Sequence, residues 1–80
     1  MKIISWNVNS IRARINLVTD LLKEEEPDFL CLQETKILDD QFPHNSFSNL
    51  GYSSYFCGIP SYNGVAILSK NEVGNIFKSN

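Results

Sequence analysis

The stretch FLCLQETK, residues 29–36, runs from an apolar segment into an acid, a threonine and a base. Its first five residues are typical of a strand buried in a sheet. Glu34 and Lys36 follow where such a strand would leave the sheet. Charged residues at that point either mark a chain reaching the surface or lie at a ligand site formed by the ends of strands. The segments on either side bear on this choice.

The segment before this stretch predicts a strand followed by a helix. Residues 2–8, KIISWNV, combine β-branched and aromatic residues in the manner of a strand. Asn9 and Ser10 are both good helix N-caps. The residues that then recur at helical spacing are Ile11, Ile15, Val18 and Leu22. Pro27 ends this helix, because the residue before a proline is disfavoured in the helical conformation.

A strand, a helix and a second strand in this order predict a βαβ unit with parallel strands. Downstream, residues 36–50 are predicted to form a loop with one short helix that ends near Gly51. Residues 52–57 and 65–69 have strand patterns, and the turn cluster GIPSYNG lies between them. The fold class is therefore α/β (α+β), with about four strands and one or two helices.

One clear helix is too little to cover both faces of such a sheet, since a central strand needs a layer on each side. We therefore expect residues 1–80 to be one partial domain, the N-terminal fragment of a larger domain. The uncovered face is expected to meet residues outside these 80.

Composition excludes several classes of function. The chain has 42% hydrophobic and 20% charged residues, which is ordinary for a soluble globular protein. Its net charge of −2 argues against a broad basic surface for nucleic acid, although a local patch remains compatible with it. No apolar run approaches the roughly 20 residues of a membrane span, so no membrane partner is expected. Cys31 and Cys57 lie in apolar segments and are interpreted as reduced thiols of a cytoplasmic protein.

Polar residues at the predicted strand ends form the first candidate site. Asn7 closes the first strand and Glu34 closes the second, so parallel pairing would bring both to the same edge. Glu34 could hold Mg²⁺ through one carboxylate, Asn7 could orient a carboxylate or a phosphate oxygen, and Lys36 could contact a phosphate. The structural alternative is that Asn7 caps a turn while Glu34 and Lys36 are surface residues.

Three motifs, SWNVNSIRAR, LCLQETK and SYNGVAILSK, together resemble the exodeoxyribonuclease III branch of the apurinic/apyrimidinic endonucleases. That branch belongs to the endonuclease/exonuclease/phosphatase superfamily, and the resemblance covers nearly all of the chain. It implies the N-terminal portion of a four-layer α/β-sandwich of the deoxyribonuclease I-like type. Ser10 departs from the family, which usually has glycine there, and this puts the turn after Asn9 in question.

The resemblance also implies roles for individual residues. Glu34 matches the family's metal-binding glutamate and Asn7 its active-site asparagine, so both are candidate catalytic residues. Asn9 falls where relatives place a residue beside the metal, which is expected to be Mg²⁺ with Mn²⁺ as an alternative ion. The candidate DNA-binding residues are Arg12, Lys36 and Tyr62.

The implied activity is phosphodiester hydrolysis in DNA repair. The first interpretation is the N-terminal part of a Mg²⁺-dependent nuclease that cuts 5′ to abasic sites and removes nucleotides from 3′ ends. Its partner would be double-stranded DNA with abasic sites or 3′ ends. The family's later motifs, GDxN and SDH, do not occur in these 80 residues.

The second interpretation is therefore a non-catalytic remnant or split-gene piece, active only with a complementary C-terminal chain or not at all. A third is another phosphoesterase of the superfamily, such as one acting on lipid headgroups, although YNGVAILSK argues against it.

Overall fold

Four strands form one sheet in the computed structural model, which describes residues 1–57 and 64–71. The strands are β1 (Ile3–Asn7), β2 (Phe29–Gln33), β3 (Tyr52–Cys57) and β4 (Val65–Lys70). The helices are α1 (Ile15–Glu25) and α2 (His44–Ser48), and a short 3₁₀ turn covers Asp39–Gln41. The α/β class and the predicted element order are confirmed.

The strand order is β1-β2-β4-β3, and the sheet is mixed. β1 and β2 are parallel, with Ile3 opposite Phe29 and Asn7 opposite Gln33. β4 lies between β2 and β3 and is antiparallel to both. The predicted parallel pairing around α1 is therefore correct, and the carboxyl ends of β1 and β2 meet at one corner of the sheet.

Both helices cover the same face of the sheet. Leu30 and Leu32 of β2 are fully buried there, and Leu68 of β4 packs beside them. α1 contributes Val18 and Leu22 to this core, at the spacing that predicted the helix. α2 contributes Phe47, which is also fully buried. Burial of apolar side chains on this face is the main favourable term for folding.

The opposite face, which we call the outer face, is open. It carries Ile3 (61% exposed), Tyr55 (56%), Val65 (53%) and Ile67 (43%). The side chains of β2 alternate between buried and half-buried, so one of its faces is covered less than the other, in line with the uncovered face expected from the sequence. The physical reason is that α1 and α2 pack on one face only.

The start of α1 was also predicted too early. The helix begins at Ile15, whereas Asn9 and Ser10 were expected to cap a helix from residue 11. The amide of Ile11 instead donates to the carbonyl of Thr35, which lies beyond β2. This tie holds the chain beside the second strand, so residues 11–14 form turns before the helix can begin.

The region between β2 and β3 contains the predicted short helix and, in addition, a 3₁₀ turn that was not predicted. Both the 3₁₀ turn and α2 lie in it, and Gly51 follows with a φ of 86°, a conformation that suits glycine. Within residues 1–57 and 64–71, no helix has the length and apolar character needed to cross a membrane.

Candidate functional site

Two loops run side by side at the carboxyl ends of β1 and β2. The amide of Val8 donates to the carbonyl of Gln33 at 3.1 Å, and that of Ser10 to Glu34 at 2.9 Å. The Ile11 amide continues the ladder to Thr35 at 3.0 Å. These bonds extend the strand pairing beyond the sheet and fix the two loops relative to each other.

Thr35 anchors the second loop in the protein. It is 1% exposed, and its amide donates to the carbonyl of Gly64 at 3.1 Å. Its neighbours Glu34 and Lys36 are partly or largely exposed. In the sequence ETK, an uncharged threonine lies between two charged residues, which is consistent with this burial pattern. The role of Thr35 as an anchor was not predicted.

The backbone of this corner is unusual. Asn9, Ser10, Glu34 and Lys36 have positive φ values of 46°, 88°, 53° and 52°. Asparagine tolerates this region, but for the other three each such residue costs about 1 kcal/mol or more relative to glycine. Four of the five non-glycine residues with positive φ in the described chain therefore lie at these two loops. Such clustering is characteristic of functional sites.

Four side chains meet at the loops, and we call Asn7, Asn9, Glu34 and Lys36 the strand-end corner. The Asn7 amide nitrogen Nδ2 donates to Glu34 Oε2 at 2.5 Å, while Asn7 Oδ1 accepts the Asn9 backbone amide at 3.1 Å. Lys36 Nζ donates to Asn9 Oδ1 at 2.6 Å and lies 3.7 Å from Glu34 Oε1. The corner is thus one continuous hydrogen-bonded network.

This geometry fits a small divalent cation in one respect. Asn9 Oδ1 and Glu34 Oε1 both approach one positive atom, Lys36 Nζ. Carboxylate and amide oxygens are suitable ligands for Mg²⁺, which needs few protein ligands and keeps several waters. Within the described residues, no three His, Cys, Asp or Glu side chains cluster in a way that could hold a metal. Asn9 Oδ1 and Glu34 Oε1 are the two oxygens of this corner that approach one position.

The other predicted site residues lie apart from this network or outside the described residues. Arg12 is exposed, and its guanidinium donates to Gln41 Oε1 at 3.2 Å. Gln41, on the 3₁₀ turn, was not predicted to take part, and its distance in the sequence gave no signal of this contact. Tyr62 lies outside the described residues.

Ser10 adopts a backbone conformation that glycine adopts most easily. Its φ of 88° lies in the region that favours glycine. Its hydroxyl oxygen accepts the Ala13 amide at 3.3 Å, a contact that glycine could not make. This local hydrogen bond offsets part of the backbone strain in the turn after Asn9.

Comparison with known proteins gives this geometry a family context. The sequence profile of the Endonuclease/Exonuclease/phosphatase family matches residues 4–79. Exodeoxyribonuclease III of Haemophilus influenzae is 40% identical over 72 residues, which are 90% of this chain and 27% of that protein. The chain thus spans about a quarter of that relative's length.

Solved structures agree with the sequence match. An AP endonuclease from Archaeoglobus fulgidus is 49% identical with a TM-score of 0.83, over 86% of this chain and 27% of that chain. A 3′ phosphatase from Neisseria, bound to a product DNA hairpin, is 44% identical with a TM-score of 0.84, over 88% of this chain and 27% of that chain. The described fold is therefore part of a deoxyribonuclease I-like domain. By these matches, the chain belongs to the endonuclease/exonuclease/phosphatase family, in its exodeoxyribonuclease III and AP endonuclease branch.

Proposed function

We propose that this chain supplies the metal and phosphate corner of a Mg²⁺-dependent DNA-repair nuclease. Two reactions are proposed, both on double-stranded DNA. The nuclease hydrolyses the phosphodiester 5′ to an abasic site, and it removes nucleotides from 3′ ends. The observation that carries the proposal is the convergence of Asn9 Oδ1 and Glu34 Oε1 on one cationic atom at the carboxyl ends of parallel strands. Family membership adds support, because the similar proteins bear the names of DNA-repair nucleases.

Glu34 and Asn9 would hold the ion, with Mg²⁺ favoured and Mn²⁺ as an alternative. A divalent cation at these oxygens would neutralise charge that develops on the phosphate during hydrolysis. Asn7 orients Glu34 by donating to its second carboxylate oxygen, so that Oε1 stays directed towards the cation position. Such a hydrogen bond to a metal ligand fixes its orientation and tunes its affinity.

The basic residues near the corner are proposed to contact the DNA backbone. Lys36 is a compact point charge that suits a phosphate oxygen. Arg12 lies on the turn just after the first loop and is exposed, so it can reach a neighbouring phosphate. Tyr62 remains a proposed DNA contact on the strength of its motif alone.

We further propose that residues 1–80 are the N-terminal part of a larger catalytic domain. The open outer face supports this, since exposed apolar patches of this kind are normally covered in a stable monomer. The strand-end corner provides ligands for charge neutralisation, while phosphodiester hydrolysis also requires an activated water. We assign that activation to residues beyond these 80.

A graft tests the proposal with a complete domain. In the graft, residues 1–80 replace the matching N-terminal segment of Haemophilus influenzae exodeoxyribonuclease III. We expect it to incise a duplex with one abasic site when Mg²⁺ is present and to lose incision when a chelator is added. A folded graft that binds the duplex but never incises it would contradict the proposal.

The competing interpretation is a non-catalytic remnant of the same enzyme. It predicts that the grafted segment fails to restore incision even when the rest of the domain is supplied. The graft therefore separates the two interpretations. A functional strand-end corner should support incision once the rest of the domain is present, whereas the corner of a non-catalytic remnant should stay inactive.

A further inference from the structure

We infer that the Lys36 ammonium is the resident cation of the strand-end corner and has to leave Asn9 and Glu34 before a divalent cation can be held there. This inference rests on the proposed function, because it concerns control of the same site. It makes Lys36 an occupant of the metal position in one state and a phosphate contact in the other.

The contacts of Lys36 carry this assignment. Its Nζ lies 2.6 Å from Asn9 Oδ1 and 3.7 Å from Glu34 Oε1, the two oxygens that are proposed as ligands. An ammonium group has three donors and no acceptor, so it engages oxygens much as a metal ion does. A divalent cation at the same oxygens would be repelled by the ammonium with twice the energy of two unit charges. The two cations therefore compete for one position.

The Lys36 side chain is accessible to solvent in the position where it contacts Asn9. Its side chain is 36% exposed, and its residue lies in an exposed loop beyond β2. A DNA phosphate beside the corner would offer the ammonium a new anionic partner. Phosphate binding would then release Asn9 and Glu34 for the ion. Metal and DNA are consequently expected to bind with positive coupling, and linkage makes this coupling reciprocal.

Mn²⁺ binding to the graft tests the inference without a measurement of activity. It is measured in the absence of DNA, from the electron paramagnetic resonance signal of the free ion. The Lys36→Met variant should bind Mn²⁺ about fivefold more tightly. In the parent, the ion can bind only after Lys36 has broken a charge-assisted hydrogen bond and an exposed ion pair, and the variant has neither. Lys23→Met removes the same charge from the last turn of α1 and should change the affinity less than twofold. Lys36→Arg keeps a cation and should stay closer to the parent than Lys36→Met.

A second readout separates competition from a general structural effect. Without metal, Lys36→Met should bind a short abasic duplex more weakly than the parent, so metal and DNA affinities should move in opposite directions. DNA should also tighten Mn²⁺ binding less in this variant than in the parent.

The outcomes distinguish this inference from the proposed function. If the parent binds Mn²⁺ and Glu34→Gln abolishes that binding, but Lys36→Met leaves the affinity unchanged or weakens it, the inference fails and the metal site stands. If the parent graft binds no Mn²⁺, the proposed metal site fails and the inference fails with it. A tighter Lys36→Met variant with an unchanged Lys23→Met control supports both.

Discussion

The two ends of β1 and β2 carry similar numbers of polar side chains but use them differently. At the amino end, the Lys2 amide donates to Asp28 Oδ2 at 2.7 Å, and Lys2 Nζ pairs with Glu25 at 2.7 Å. The Tyr52 hydroxyl donates to the Pro27 carbonyl at 2.6 Å from a buried position. These contacts link elements of the fold: Lys2 to α1 and to the turn before β2, and β3 to the same turn.

At the carboxyl end, the side-chain contacts of the strand-end corner run mainly between its own members. They lie on a backbone with four positive φ values, whereas the one such residue at the amino end is Glu26, the C-cap of α1. A left-handed C-cap is a common way to end a helix. The strand-end corner therefore differs from the amino end in two ways. Its positive φ values are not explained by the end of a helix, and its polar side chains are exposed.

The largest expected difference between the two ends is in catalysis. In the graft, Glu34→Gln should lower the turnover of abasic-site incision by about 100-fold or more, because the carboxylate charge that would hold the ion is removed. DNA affinity should change little. The measurement is single-turnover incision at saturating Mg²⁺.

Glu25→Gln is the matched control at the amino end. It removes the same charge from a half-exposed ion pair, and such pairs contribute little to stability. Turnover and stability should both stay near the parent values. If Glu34→Gln and Glu25→Gln lowered turnover equally, the two ends would not differ in function.

Substitution of Arg12 extends the comparison of the two ends to DNA binding. Arg12→Ala should weaken duplex binding without sequence preference and reduce the slope of log affinity against log salt by about one unit. Lys2→Ala removes a positive charge from the amino end and should leave the slope unchanged. A slope identical to the parent's for Arg12→Ala would make Arg12 an ordinary surface residue held by Gln41.

Tyr52 should affect stability and leave incision unchanged. Tyr52→Phe removes a buried hydrogen bond to Pro27, which should lower the free energy of unfolding of the graft by about 1 kcal/mol. Urea unfolding at neutral pH measures this. Burial, together with the negative charges of Glu26 and Asp28, raises the pKa of Tyr52 above its ordinary value of 10.0.

This pKa shift adds a pH signature to the Tyr52 prediction. Since the folded state favours the neutral phenol, its contribution is complete below pH 10 and declines as the pH rises through the raised pKa. The stability difference between the parent and Tyr52→Phe should therefore shrink in strongly alkaline solution. A difference that stays constant up to the alkaline limit of folding would contradict this account of the hydroxyl.

The smallest expected effect is at Ser10. Ser10→Gly should relieve a strained φ but lose the hydrogen bond from the Ala13 amide, so we expect a net gain in stability of about 0.5 to 1 kcal/mol. Thermal unfolding of the graft measures it, with Ser46→Gly on α2 as a control that should destabilise. A destabilised Ser10→Gly graft would mean that the Ala13 hydrogen bond outweighs the strain.

Local patterns in the sequence were enough to predict the strands and the central part of α1. The apolar run in residues 29–33 and the helical spacing of Val18 and Leu22 both report on burial, which is why they predicted β2 and α1. The pairing of Asn7 with Glu34 also followed, because parallel neighbouring strands end at the same edge.

Other features depend on contacts between distant residues and could not be predicted. The late start of α1 follows from the bond between the Ile11 amide and Thr35, which no local propensity reports. The positive φ of Glu34 and Lys36 has no signal in residue type, since neither favours that conformation. The contact of Lys36 with Asn9 joins residues 27 positions apart in the sequence. The sequence therefore suggested a phosphate contact for Lys36 but not its place in the cation position.

The central claim is that the strand-end corner contributes to catalysis only when the rest of the domain is present. The most direct measurement is Mg²⁺-dependent incision of an abasic duplex by the purified 80-residue chain and by the graft, with size and thermal unfolding recorded on the same samples. We predict that the graft incises and melts cooperatively, while the isolated chain does neither and associates through its open outer face. Incision that follows the isolated chain through purification, or a sharp melt of that chain as a monomer, would contradict the claim.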